Sequence, residues 1–88
     1  MLLAILIFTY MHIVIAKVDE VFFDGEASSL TVPATEGEMT VLARHMPLIT
    51  TLKPGTITVL FSGETAPRRF KVDGGVLEVR SASATVIL

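Results

Sequence analysis

The chain has 88 residues, 51% hydrophobic and 18% charged, with a formal net charge of −2. That length allows one domain with a modest core and excludes an enzyme built around a cleft between two domains. The charge excludes an electrostatic case for nucleic acid, and the absence of Cys excludes disulfides, thiolate catalysis and Cys-based zinc sites.

In chain order, the first segment is an apolar run from Met1 to Ala16, interrupted by His12 and ended by Lys17. A membrane-spanning helix needs about 20 apolar residues, and a secretory signal carries Lys or Arg before its apolar part. Neither pattern is met. Residues 1–10 read as an N-terminal extension, including one made by an upstream start codon, with a membrane anchor or signal remnant as the other readings. His12 to Lys17 reads as a first strand, apolar enough to be covered on both sides. Val21-Phe22-Phe23 follows, with Asp24-Gly25 as its turn. Ser29 to Val32 alternates, placing Leu30 and Val32 inward, and Pro33 is expected to end the ladder. After Glu36-Gly37-Glu38, Met39-Thr40-Val41 alternates again.

From Ala43 to Lys53 no clear period shows, which predicts irregular or short-strand structure over one end of the domain. Pro54-Gly55 fits a type II turn. Thr56 to Phe61 places Ile57, Val59 and Phe61 on one face, and Ser62-Gly63 turns the chain. Arg69 to Val72 turns its basic residues outward, and Asp73-Gly74-Gly75 turns the chain again. Val76 to Arg80 puts Leu77 and Val79 inward, and Ala84 to Leu88 is the last strand. Short alternating strands between frequent turns predict an all-β fold, an antiparallel β-sandwich of about eight to ten short strands.

Chemistry is sparse. No Gly-rich phosphate loop with Lys and Ser/Thr is present, and no Ser sits in a nucleophile elbow. His12 and His45 lack ligand-like spacing and read as structural. Glu36 and Glu38 lie two apart on a Gly-centred turn. They read first as a solvated loop, next as a charged contact surface, and last as an acid–base pair. Arg68, Arg69 and Lys71 read as a solvated strand face. No cofactor, metal or small-molecule substrate is indicated.

Four motifs in order are specific. They are the strand ending in Phe22-Phe23-Asp24-Gly25-Glu26, then Val32-Pro33-Ala34-Thr35-Glu36-Gly37-Glu38-Met39. Next come His45-Met46-Pro47-Leu48-Ile49-Thr50-Thr51-Leu52-Lys53-Pro54-Gly55, and Gly74-Gly75-Val76-Leu77-Glu78-Val79. From Met11 to Leu88 the chain resembles the N-terminal β-sandwich domain of the ε subunit of F-type ATP synthase, the δ/ε family. Ala43-Arg44 stands where the family usually has Pro-Gly, and Thr40 where it commonly has Gly. The resemblance implies a domain over 11–88 that begins where family chains begin. It also implies a short form without the family's C-terminal helical hairpin, so the hairpin's inhibition of ATP hydrolysis and its ATP site are not carried over.

The resemblance further implies a non-catalytic rotor part of the central stalk, joining the γ subunit to the c-ring so that ion-driven rotation is coupled to ATP synthesis. Thr35, Glu36, Gly37 and Glu38 match positions facing the c-ring. Lys17, His45 and Thr50 match positions near γ. The implied location is peripheral, on the cytoplasmic face of a bacterial plasma membrane or the stromal face of a thylakoid. The alternative is a small β-sandwich adaptor tethered to a membrane through residues 1–16, and a hydrolase ranks behind both.

Overall fold

The computed structural model of the chain describes residues 10–43 and 46–88. They form β1 Met11–Lys17, β2 Glu20–Ala34, β3 Gly37–Leu42, β4 Leu48–Leu52, β5 Gly55–Phe61, β6 Arg68–Val72, β7 Gly75–Val79 and β8 Ser83–Ile87. No helix occurs among the described residues. The expectation of an all-β sandwich is met.

The pairings fall into two layers, β6-β5-β2-β3 and β4-β7-β8-β1. β2 belongs to both. Its first half runs along β1, from Lys17 opposite Glu20 to Met11 opposite Ala27. Its second half is flanked on both sides, with Leu30 between Val41 of β3 and Val59 of β5. A register shift between Ala27 and Ser29 marks the change of layer, and Ala34 reaches Leu52 of β4. A shift of this kind bends a strand and increases its twist. All pairings are antiparallel except β1 with β8, where Ile13 lies beside Ala84 and Ile15 beside Val86.

The core forms where the alternation predicts. Leu30, Val32, Ile57, Val59, Leu77, Val79 and Phe61 are all buried, and no polar or charged residue is buried among the described ones. β1 departs from the expected two-sided cover: Met11, Ile13 and Ile15 are buried, Val14 is half-buried and His12 is exposed. It alternates up to Ile15, because only one face meets the opposite layer, and the register shift between Ile15 and Ala16 buries Ala16 as well.

Three expected breaks fall inside strands. Asp24-Gly25 makes no turn. Asp24 pairs with Val14 and Gly25 with Ile13, and the chain reverses at Val18-Asp19 instead. A neighbouring strand with free ladder groups outweighs a local turn preference. Pro33 does not end β2. It lacks only the donor, and its carbonyl accepts from the Lys53 N–H at 2.9 Å. Gly55 is absent from the positive-φ glycines and opens β5, so Pro54-Gly55 is not a type II turn. A Cβ there would lie 2.8 Å from the Pro33 Cβ, so Gly55 permits a close approach of chains. The irregular stretch resolves into β4, which gains its order from pairing with β7 along its whole length.

The Ser62-Gly63 turn is present, with Gly63 at φ 79° and nothing within 4 Å of an added Cβ. Gly63→Ala therefore carries only the conformational cost of the left-handed region, about 1–2 kcal/mol. Urea denaturation should show an unfolding free energy lowered by that amount, through a lower midpoint at an unchanged slope.

Candidate functional site

The β2–β3 hairpin carries the acidic turn. Thr35, Glu36 and Glu38 are exposed, and Gly37 takes φ 135° with open space around it. The turn is tied to β4 rather than free. The Thr35 N–H donates to the Thr51 carbonyl at 3.1 Å, and the two threonine hydroxyls lie 3.2 Å apart. Neither Glu36 nor Glu38 has an ion-pair partner among the described residues. A stiff base thus presents two carboxylates that no described residue neutralises.

Lys17 ends β1, exposed, with its Nζ 5.7 Å from the centre of the Phe22 ring. Thr50 is half-buried between Leu48 and Leu52 on the inward side of β4, and its hydroxyl donates to the Thr51 carbonyl at 3.4 Å. The outward residues of β4 are Ile49 and Thr51. His45 lies outside the described residues. The register places Ala16, Ile87, Val76 and Thr51 in one row across β1, β8, β7 and β4, with Thr35 bonded to Thr51 at its end. Lys17 and the acidic turn therefore flank opposite ends of that row, about 19 Å apart measured along the sheet at about 4.8 Å per step.

Comparison with known proteins decides the family. The profile of the ATP synthase, Delta/Epsilon chain, beta-sandwich domain matches residues 10–88. The chain belongs to the ATP synthase delta/epsilon family. The ATP synthase epsilon chain of Bordetella avium is 36% identical over 77 residues, covering 88% of this chain and 54% of that one. The ATP synthase epsilon chain 1 of Methylococcus capsulatus is 38% identical over 77 residues, with the same coverage of each. The chain thus spans about half the length of the curated relatives it matches. Among solved structures, a chain of the Euglena gracilis mitochondrial ATP synthase OSCP/F1/c-ring assembly has a TM-score of 0.83 at 23% identity, covering 90% of this chain and 50% of that one. A chain of the Tetrahymena thermophila mitochondrial ATP synthase central stalk/c-ring gives 0.73 at 19% identity, covering 88% and 61%. These two likenesses establish the shared fold.

Among the described residues of this delta/epsilon sandwich, charged side chains meet in a few exposed pairs. His12 meets Asp24 through Nε2 at 2.7 Å and Glu26 through Nδ1 at 3.2 Å, across β1 and β2. All three are about half exposed, so each pair contributes about 0–1 kcal/mol. No group of three His, Cys, Asp or Glu that could hold a metal occurs among the described residues.

Two surfaces escape the strand-by-strand reading. Ile49, Val76 and Ile87, 71%, 41% and 46% exposed, make an apolar patch on the outer face of β4, β7 and β8, with Val76 opposite Ile87. Lys17, Arg69 and Lys71 line one groove although Lys17 is far from the others in sequence. Only the strand pairing brings these sets together.

Proposed function

We propose that this chain acts as the β-sandwich of the ATP synthase central stalk. It is a non-catalytic rotor part that joins the γ subunit to the c-ring, at the cytoplasmic face of a bacterial plasma membrane. The observation that carries the proposal is a family match over the whole described sandwich, residues 10–88. The Tetrahymena structure with the same fold is a central stalk and c-ring assembly, which supports the same partners here.

The physics fits the role. Transmitting torque needs a body that does not yield. Here the contact turn is braced by main-chain and side-chain bonds to a second strand. Thr35, Glu36, Gly37 and Glu38 form the c-ring contact, and the two carboxylates, without an ion pair among the described residues, suit a basic partner loop. Partly desolvated ion pairs there are worth more than exposed ones, which contribute about 0–1 kcal/mol. Lys17, His45 and Thr50 mark the γ side. Because Thr50 faces inward, β4 meets γ through its outward neighbours Ile49 and Thr51, within the apolar patch.

Glu38 is exposed and pairs across the hairpin with Pro33, so its side chain is dispensable for folding. Glu38→Lys should leave the circular dichroism spectrum and unfolding midpoint unchanged. It should weaken retention on the purified rotor by about tenfold, equivalent to about 1.4 kcal/mol. Wild-type retention of that variant counts against the c-ring contact. Stripping the soluble sector from membranes should release the chain without detergent.

A further inference from the structure

A groove of about 730 Å³ runs between edge strand β6 and the β1–β2 hairpin. Phe22, 41% exposed, and Leu88 contribute to its apolar walls, while Lys17, Arg69 and Lys71 supply positive charge and Asp73 the one acidic side chain of the lining. Among the described cations, Arg68 is paired with Glu64 at 2.9 Å and Arg80 with Glu78 at 3.4 Å. Lys17, Arg69 and Lys71 make no ion pair with any described residue, yet all three converge on this groove. Of the four described cations without an ion pair, three thus meet at this groove and only Lys53 lies elsewhere, in a chain of net charge −2. Among the described strands β6 pairs with β5 alone, so alternate N–H and C=O groups along its other edge have no described strand partner.

We propose that this groove docks an extended acidic segment of a partner protein, which adds to β6 as a further strand. Main-chain bonds to β6 would give affinity, and side chains of alternating acidic and apolar character would meet the cations and the apolar walls. Cations on an edge strand also discourage pairing with copies of the same chain. Lys17 is not explained that way, because it comes from β1 and faces the groove from the opposite rim. Charge sign selects an acidic segment over a basic one, and the open strand edge selects an extended one over a helix.

The test uses the whole chain and a fluorescein-labelled peptide of alternating Glu and Val, read by fluorescence polarisation. Binding should fall at least tenfold in the double variant Arg69→Glu/Lys71→Glu, and change less than twofold in Lys53→Glu, whose unpaired cation lies outside the groove. Hydrogen exchange on the wild-type chain should slow at Arg69–Val72 when the peptide is present, a readout independent of whether the variants fold. No binding, equal loss in Lys53→Glu, or unchanged exchange at β6 overturns the proposal. So does displacement of the peptide by equimolar pyrophosphate, which marks a small-anion site. The groove shares Lys17 with the assigned γ contact, but the substituted residues Arg69 and Lys71 belong to neither assigned contact, so a failure here leaves the stalk proposal intact.

Discussion

Gly75→Ala is expected to remove a large part of the domain's stability. Gly75 holds φ 147°, a backbone conformation that costs an L-residue about 1–3 kcal/mol. An added Cβ would also lie 2.5 Å from the Ile87 carbonyl oxygen and 3.1 Å from the Leu88 Cδ2. The near atom is backbone, and it is fixed by the β7–β8 ladder in which Val76 pairs with Ile87. Relief of the clash therefore needs two strands to separate locally. Overpacking of this kind adds about 1–3 kcal/mol, for a total of about 2–6 kcal/mol. A chain of 88 residues has in all on the order of 4–13 kcal/mol. Urea denaturation should place the variant near the edge of folding, in contrast to the mild effect of Gly63→Ala, where nothing is near. Equal effects of the two substitutions would contradict the β7–β8 packing.

Leu30→Ala is expected to cost about 2–5 kcal/mol. Leu30 is fully buried and sits in the part of β2 flanked on both sides, opposite Val41 and Val59. Truncation leaves a cavity that neither neighbour can close without losing its own pairing. The unfolding midpoint should fall sharply while the denaturant slope stays constant. A loss under about 1 kcal/mol would show that β2 is not the central strand.

Much of the core was legible because burial on one face imposes period two. Leu30, Val32, Ile57, Val59, Leu77 and Val79 follow that period, and all are buried. The errors share one cause. Asp24-Gly25, Pro33 and Pro54-Gly55 are local break signals, and each is overridden by a neighbouring strand or by close packing. β2 is long because β1, β3, β4 and β5 each pair with part of it. A windowed reading of one stretch cannot register four partners. β4 was legible only as irregular or short-strand structure for a related reason: Ile49 is outward and apolar, so its alternation is blurred. An exposed apolar residue in a strand is a cost in isolation and makes sense on a surface that another protein covers.

The candidate site divides in the same way. The acidic turn was legible as a motif, because charged residues around a Gly are local. Its bracing was not, since Thr51 reaches it from another strand. Arg69 and Lys71 read as a solvated face when seen along β6 alone. Across the seam from Lys17 and Phe22 they become one rim of a groove.

The central claim is that this chain is a partner of γ in the ATP synthase stalk. The most direct measurement is size-exclusion chromatography with native mass spectrometry on a mixture of this chain and purified γ subunit from the same organism. The account predicts a stable complex with one copy of each, lost when Ile49 and Val76 on the outer face are changed to Asp. Separate elution of the two folded proteins would contradict it.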